Sequence, residues 1–201
     1  NLNSACVLIE PTSRQLKLHG FELASKAEFE MQTPHHPSRM NGELAYMAPE
    51  RTGRLDVPVD HRSDLFSFGV ILYHLLTGRL PFTKSNPWET LHSILYFSPP
   101  APTEMAVNVP VSLSEVTLKL LEKSSEKRYQ SAEGVKFDLL RCRAELDHRG
   151  QIEVFDLGAH DFPRQFRIPE RLYGRRVECE RLEALFNKVQ WGEPRLVLIT
   201  G

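Results

Sequence analysis

Residues 44–82 read LAYMAPERTGRLDVPVDHRSDLFSFGVILYHLLTGRLPF, and this stretch decides the fold. Its second half contains the run from Leu65 to Leu76, which is apolar on nearly every face of a helix. A helix that is apolar all round is a buried one. Asp60 or Ser63 is suited to cap its start, and Gly78 supplies its stop. The sequence therefore predicts a long buried helix.

The composition limits the classes of function. The 201 residues carry 25 basic and 26 acidic side chains, and this balance does not indicate a nucleic-acid or membrane-surface partner. Three scattered cysteines without metal-ligand spacing indicate a reduced, cytoplasmic protein, and no apolar run has the length for membrane insertion. Because the chain begins at Asn1 and stops at Gly201 within an apolar strand, we expect it to be a piece of a longer polypeptide.

Few strands and many helices are predicted on either side of the buried helix. Short apolar runs at 7–9 and 16–18, separated by a turn-rich interval, predict a hairpin. Asn86 predicts a capped helix start, and Ser112 and Glu115 have capping-box spacing. A last helix is expected over roughly 132–146. Its apolar stripe consists of Val135, Leu139, Cys142 and Leu146. The predicted fold class is mainly α, with a small β component.

Several parts of this pattern resemble the C-terminal lobe of a eukaryotic-type protein kinase, from the end of the activation segment onward. The matching residues are Ala48, Pro49 and Glu50, then Asp64 and Gly69, and the helix exit LLTGRLPF at 75–82. The resemblance implies that Glu50 pairs with Arg128 and ties the activation segment to the base of the lobe. It also implies that Asp64 is a buried carboxylate holding the catalytic loop by hydrogen bonds. Without the resemblance, Glu50 and Arg128 would read as ordinary surface charges.

The residues that this resemblance places at the catalytic positions lack the side-chain groups that phosphate transfer needs. A kinase catalytic loop has Asp followed five residues later by Asn, and counting back from the first strand places these on Asn1 and Cys6. The Asp-Phe-Gly metal triplet falls on Gly20, Phe21 and Glu22, of which Phe21 survives as the packing residue. Mg²⁺ requires hard oxygen ligands, whereas Gly20 has no side chain and Cys6 offers a soft sulfur. The amide of Asn1 cannot take a substrate proton. The resemblance thus implies a lobe with no intact catalytic or metal site.

Two alternatives would preserve catalysis. Glu22 or Glu10 swinging in as a metal ligand would give an active Ser/Thr kinase with atypical ligands, although Glu22 lies on the far side of Phe21 and needs a rebuilt loop. A register slipped by one residue would change the assignment as well.

The C-terminal segment resembles a second family. LYGRR at 172–176, a helix, and the strand at 195–200 are similar to the beginning of AAA-type signalling NTPase domains, where Gly201 would be the first glycine of a truncated phosphate loop. The order of kinase lobe, linker and NTPase start resembles multidomain hybrid sensor histidine kinases of fungi and bacteria. We therefore expect a kinase-like lobe without its N-terminal half at 1–148, a linker at 149–170, and the start of an NTPase domain at 171–201.

Three functions remain open at this point. The first is a degenerate regulatory or interaction module in phosphorelay signal transduction, whose partners are other domains of the same polypeptide and signalling proteins. The second is an active Ser/Thr protein kinase, and the third is a structural segment that positions a downstream NTPase. We expect no metal or other cofactor in this stretch itself; the resemblance leaves room for ATP and Mg²⁺ in a full-length parent.

Overall fold

The apolar run of the sequence forms helix α1, Arg62–Thr77, in a computed structural model of the chain. Phe66 and Val70 on this helix are completely buried. The helix ends where Gly78 adopts a left-handed conformation (φ 71°) and donates its N–H to the carbonyl of His74. The predicted buried helix and its glycine stop are therefore confirmed.

The structure describes residues 2–21, 24, 44–163, 181, 182, 184 and 185. The chain divides into two units, Asn1–Arg164 and Gln165–Gly201. Within the part described, no helix has the length and apolar character needed to cross a membrane.

The described elements are mainly helical, with one small sheet. Strands β1 (Val7–Ile9) and β2 (Leu16–Leu18) form an antiparallel hairpin in which Val7 lies opposite Leu18. The helices after α1 are α2 (Pro87–Tyr96), α3 (Pro102–Met105), α4 (Val111–Leu120) and α5 (Ala132–Arg149). Short 3-10 turns occur at Ser4–Cys6, Leu44–Tyr46 and Pro49–Thr52. This composition confirms the predicted fold class and the hairpin.

Helix α1 belongs to two apolar clusters at once. On one side, Phe66 and Val70 pack with α2 and with the segments around Tyr46 and Phe82. On the other side, Leu65 packs with Val116, Leu120, Tyr129 and Val135, which belong to α4, α5 and the loop between them. A helix covered on both sides cannot carry a polar face, and this explains why its sequence lacks amphipathic periodicity.

Gly69 marks the place where α1 and α4 come closest. A Cβ atom at this position would lie 2.7 Å from Leu120 Cβ and 3.2 Å from Leu121 Cδ2. Both neighbours are buried side chains near the end of α4, so they have little room to move. Glycine is required here by the close approach of the two helices.

One of the predicted helix starts differs from the structure. Helix α1 begins after His61, and the Asp60 carboxylate accepts the N–H of Arg62 at 2.8 Å, as a capping side chain does, while Ser63 lies within the helix. The capping box of Ser112 is wrong, because α4 begins one residue earlier and the Ser112 hydroxyl donates to the carbonyl of Glu153 at 2.9 Å. Asn86 does cap α2, accepting the N–H of Trp88.

Helix α5 is longer than predicted. Residues 151–163, which follow it, remain in contact with the lobe. The buried stripe of α5 stops at Cys142, since the final turns lie at the surface, and Leu146 is 48% exposed. Residues 151–163, which lie in the predicted linker, belong to the first unit and make hydrogen bonds to α4 and α5. The contacts arise because this segment supplies a carboxylate and backbone groups that pair with polar groups on those helices.

Replacing Gly69 by Ala tests the close approach of α1 and α4, because this approach determines whether the free energy of unfolding rises or falls. At an unconstrained site in a helix, Ala is about 1 kcal/mol more favourable than Gly. We expect Gly69→Ala to lower the free energy of unfolding by about 1–3 kcal/mol instead, since the added methyl overpacks the contact with Leu120. Urea unfolding of the two chains, followed by circular dichroism, measures the difference. A more stable variant would contradict the packing described here.

Candidate functional site

A buried ion pair joins the 3-10 turn Pro49–Thr52 to the loop after α4. Both guanidinium amino groups of Arg128 donate to the carboxylate of Glu50, Nη1 to Oε1 at 2.7 Å and Nη2 to Oε2 at 2.8 Å. The exposed fraction is 2% for Glu50 and 1% for Arg128. Two parallel bonds fix the orientation as well as the distance of the two groups. The pair connects residues 78 positions apart in sequence, and it is the pairing that the resemblance implies.

The remaining donors of Arg128 are also satisfied. Its Nε donates to the carbonyl of Glu122 at 2.7 Å, and its amino groups donate to the carbonyls of Arg62 and Lys123. The guanidinium carbon also lies 4.9 Å from the centre of the Phe66 ring. All five N–H groups of a guanidinium are therefore used. One side chain thus ties together the segment at Glu50, the start of α1 and the loop after α4.

The charge state of Glu50 follows from this environment. Burial alone would raise the pKa of its carboxyl group, but the hydrogen bonds and the charge of Arg128 outweigh burial, and the hydroxyl of Ser63 donates to Oε1 at 2.7 Å. The net effect lowers the pKa of Glu50 below its ordinary value. The pair is thus ionised at neutral pH.

A second buried pair, which the sequence does not predict, lies nearby. Arg62 Nη2 donates to Asp60 Oδ2 at 2.8 Å, and its Nη1 donates to the side-chain carbonyl of Gln130 at 2.8 Å. A ring nitrogen of His61 also lies 3.0 Å from the backbone carbonyl of Gln130. Residues two positions apart do not face each other on a helix, so only the folded turn before α1 reveals the contact of Asp60 with Arg62.

The hairpin brings Cys6 and Gly20 to the same end. In the antiparallel register His19 donates its N–H to the carbonyl of Cys6 at 3.0 Å, so Cys6 lies opposite the residue before Gly20. The preceding turn is anchored to the lobe, since the hydroxyl of Ser4 lies 3.0 Å from the hydroxyl of Tyr46. The two positions that the resemblance assigns to metal ligands therefore converge on one small region.

Comparison with known proteins agrees with the ion pair and the helical order. The family model of the protein kinase domain matches residues 2–138, which is more than half of the chain. The chain belongs to the protein kinase family. Its described elements form the helical C-terminal part of that domain, as the sequence predicts.

Relatives of two kinds match this kinase lobe. It is 37% identical over 176 residues to hybrid signal transduction histidine kinase G of Dictyostelium discoideum, a match covering 78% of this chain and 5% of that protein. It is 27% identical over 160 residues to the peroxide stress-activated histidine kinase mak3 of Schizosaccharomyces pombe, covering 80% and 7%. It is 37% identical over 110 residues to the Ser/Thr protein kinase PknB of Mycobacterium leprae, covering 55% and 17%. The chain thus spans a small part of the relatives it matches.

The donor groups at Cys6 and Gly20 do not fit the magnesium ion that kinase chemistry uses. Mg²⁺ takes oxygen ligands in octahedral geometry, and a thiol and a glycine offer none from their side chains. Across the described ranges 2–21 and 44–163, no group of three or more His, Cys, Asp or Glu side chains is arranged as a metal site. Asn1 and Glu22 lie outside the described residues, as does Gly201.

Glu10, one of the two candidate replacement ligands, lies at the other end of the hairpin. It is four residues from Cys6 along an extended strand, roughly 13 Å at about 3.3 Å per residue. Its carboxylate accepts the backbone N–H of Ser13 at 2.7 Å within the turn. The hydrogen bonds from Ser13 lower the pKa of Glu10. Glu10 therefore serves the hairpin turn.

Two expectations drawn from the resemblance are wrong for the described residues. Phe21 is 67% exposed rather than packed, and strand β2 before it is exposed along its whole length, so it offers Phe21 no packed surface. Asp64 is exposed rather than buried. It lies in the first turn of α1, where a carboxylate facing water is stabilised by the positive end of the helix, while Ser63 and Arg62 take the buried positions. Ala48, Pro49 and Gly69 are buried.

Lys123 forms a half-buried contact beside Arg128 that the sequence did not reveal. Its Nζ donates to the carbonyls of Ser93 and Ile94, at 3.2 and 2.7 Å, near the end of α2. The same nitrogen lies 3.8 Å from the centre of the Phe82 ring. Burial first, and then the charge of Arg128, lower the pKa of Lys123 to about 7, against the opposing charge of Glu122.

Removing the charge of Glu50 tests the buried pair of the kinase lobe. We expect Glu50→Gln to lower the free energy of unfolding by about 3–5 kcal/mol, since it leaves the Arg128 guanidinium buried without a counter-charge. The matched control is Glu145→Gln, which removes a carboxylate from the more exposed pair with Arg141 and should cost at most about 1 kcal/mol. Urea unfolding at pH 7 compares the three chains. Equal effects of the two substitutions would contradict the assignment.

Lys123 is expected to make the stability of the lobe depend on pH. The unfolded chain keeps this lysine protonated up to about pH 10.5, whereas the folded chain releases the proton near pH 7. Between these values the unfolded state binds more protons, so the free energy of unfolding rises as the pH increases. Urea unfolding of the wild type and of Lys123→Met from pH 6 to 10.5 measures this, and the wild type should gain stability relative to the variant. Parallel pH profiles would contradict the assignment.

Proposed function

We propose that this chain is the protein-kinase-like module of a hybrid sensor histidine kinase, and that it serves phosphorelay signalling by regulation and interaction without transferring phosphate itself. One observation carries the proposal: Cys6 and Gly20, the positions assigned to metal ligands, lie at the same end of the hairpin and offer a thiol and no side chain. Phosphoryl transfer depends on metal ions that neutralise the developing charge. A lobe without oxygen ligands at this point lacks the means to bind them.

The complete hydrogen bonding inside the lobe supports a role in binding a partner or in transmitting a conformational change. The ion pair of Glu50 and Arg128 is fully buried, and each of its donors has a partner. Among the described residues, no buried side-chain nitrogen or oxygen lacks a hydrogen-bond partner. The parts of a kinase lobe that give it shape are therefore intact, while the parts that perform chemistry are replaced. Such a combination suits a domain that a partner recognises by its shape, or one that transmits a conformational change.

The relatives support the placement in a histidine kinase. The matches to the Dictyostelium and Schizosaccharomyces histidine kinases cover 78% and 80% of this chain, whereas the match to PknB covers 55%. These two matches cover more of the chain than a kinase lobe ending at residue 148 would. From the resemblance of LYGRR at 172–176 and of the apolar run that ends at Gly201, we assign residues 171–201 to the start of an AAA-type NTPase domain, with other domains of the same polypeptide as partners. ATP and Mg²⁺ then belong to the parent protein, which we place in the cytoplasm.

The test measures Ser/Thr phosphorylation by the full-length parent protein. Its phosphoacceptor histidine and the lysine of its NTPase phosphate loop are substituted, so that only the kinase-like module remains to transfer phosphate. The protein is incubated with γ-labelled ATP, Mg²⁺ or Mn²⁺, and casein as a general substrate. We expect no label on Ser or Thr, in the parent or in casein, above a blank without protein.

Two variants identify the source of any label. Glu22→Gln removes the remaining carboxylate next to Phe21, and Glu10→Gln removes the carboxylate of the hairpin turn. Label that disappears with Glu22→Gln but persists with Glu10→Gln would establish an active kinase with an atypical ligand and overturn the proposal. Label that persists in both variants overturns it as well, because another group then supports transfer.

A further inference from the structure

Residues 151–163, here called the strap, run back along α5 in the opposite direction. At the far end of α5, Arg149 and Glu145 contact Glu153. Further along, the Arg141 guanidinium carbon lies 4.2 Å from the centre of the Phe155 ring. Closer to the start of α5, the rings of Phe137 and His160 are 3.9 Å apart. The strap therefore follows almost the whole helix.

Asp161 fastens the strap to the start of α5. Its Oδ2 accepts the backbone N–H of Gln130 at 2.6 Å, and its Oδ1 accepts the hydroxyl of Ser131 at 2.8 Å. Ser131 is the N-cap of α5, and its hydroxyl oxygen accepts the N–H of Gly134 at 3.0 Å. An N-cap stabilises a helix by satisfying one of its free N–H groups. The strap carboxylate thus positions the residue that caps the helix.

A second carboxylate makes the reverse connection, from the helix to the strap. Oδ2 of Asp138, a buried residue of α5, accepts the N–H of Gly158 at 2.8 Å and the hydroxyl of Tyr129 at 2.5 Å. Burial first, then the hydrogen bond and charge of Asp138, raise the pKa of Tyr129, so its hydroxyl stays a donor. Lys119 of α4 also donates to the carbonyl of Leu157 at 3.0 Å.

Gly134 of α5 leaves the space that the Asp161 side chain of the strap occupies. A Cβ atom on Gly134 would lie 2.5 Å from Asp161 Cβ. The helix therefore has glycine, a poor helix former, in its first turn at the place where the strap crosses. The strap side chains Val154 and Phe162 remain well exposed. Polar bonds at a few points hold the strap in place, together with Leu157, which is partly buried against the cluster of Leu65 and Val116.

We propose that the strap is a releasable element coupled to the start of α5. Docking of the strap and ordering of residues 129–138 form one cooperative unit, and this unit opens separately from α1. Segments held by few buried apolar contacts open at lower free energy than the core. When the strap leaves, the N–H of Gln130, the hydroxyl of Ser131 and the carboxylate of Asp138 each lose a partner. The start of α5 is thereby destabilised, and by linkage a disturbance there weakens the strap equally.

The coupling gives the proposed regulatory role a physical route. The strap ends immediately before the second unit in sequence, so a pull on the chain at that point acts on the start of α5. Only this biological use rests on the proposed function. The cooperativity itself is a property of the 201-residue chain, and it can be measured without reference to phosphate transfer.

Amide hydrogen exchange of the full 201-residue chain, read at single residues, tests the coupling. We expect Asp161→Ala to accelerate exchange at least tenfold both in the strap and at residues 129–138, with α1 unchanged. The matched control is Asp156→Ala, which removes an exposed carboxylate from the same strap and should leave all three regions unchanged. Tyr129→Phe, on the lobe side, should accelerate exchange in the strap. Acceleration confined to the strap in Asp161→Ala, or no effect of Tyr129→Phe on the strap, would overturn the coupling.

Two further measurements apply if Asp161→Ala does not fold. Gly134→Ala improves helix propensity but collides with Asp161, so exchange in the strap should rise while the chain stays folded. In the wild type, the amides of Gly158, Gln130 and Gly134 should share one opening free energy, lower than that of α1. Opening of Gly158 well before the other two, or opening of all three only together with α1, would refute the proposal.

Discussion

The bidentate contact of Glu50 with Arg128 is the interaction on which the rest of the lobe depends. It brings together chain segments 78 residues apart, and Arg128 also donates to carbonyls of the loop after α4 and of the start of α1. Desolvating two charges is costly, and only complete hydrogen bonding offsets it. This requirement fixes the relative positions of the segment at Glu50, α1 and that loop. Lys123 extends the same arrangement to the end of α2.

Shape and chemistry are separable in this lobe. The residues that stabilise it are buried at its base, whereas the positions assigned to metal ligands flank one end of the hairpin, where Gly20 is exposed and Cys6 is half-buried. Neither residue belongs to an apolar core cluster. Under the proposed function, the kinase fold persists without the groups needed for phosphate transfer, and its surfaces serve recognition.

The sequence predicted those features that short-range pattern determines. The apolar run of α1, the stop at Gly78, the cap at Asn86 and the hairpin all follow from local preferences, and resemblance supplied the pair of Glu50 with Arg128. Tertiary contacts decided the rest. Ser112 bonds to a distant carbonyl instead of capping its helix. The composition of residues 151–163 predicted a linker. The docking of this segment could not be predicted, because Asp161 and Gly158 meet their hydrogen-bond partners only once α5 is folded.

The exposed hairpin has a consequence for how the molecule behaves at high concentration. Leu8, Ile9, Leu16 and Leu18 present their side chains to water on a ribbon of two strands. A two-stranded ribbon is barely stable by itself, and its outer backbone groups are a template for another strand. Solutions of this span are therefore inclined to self-associate by intermolecular strand pairing, and a polar or charged side chain at position 16 or 18 counteracts it.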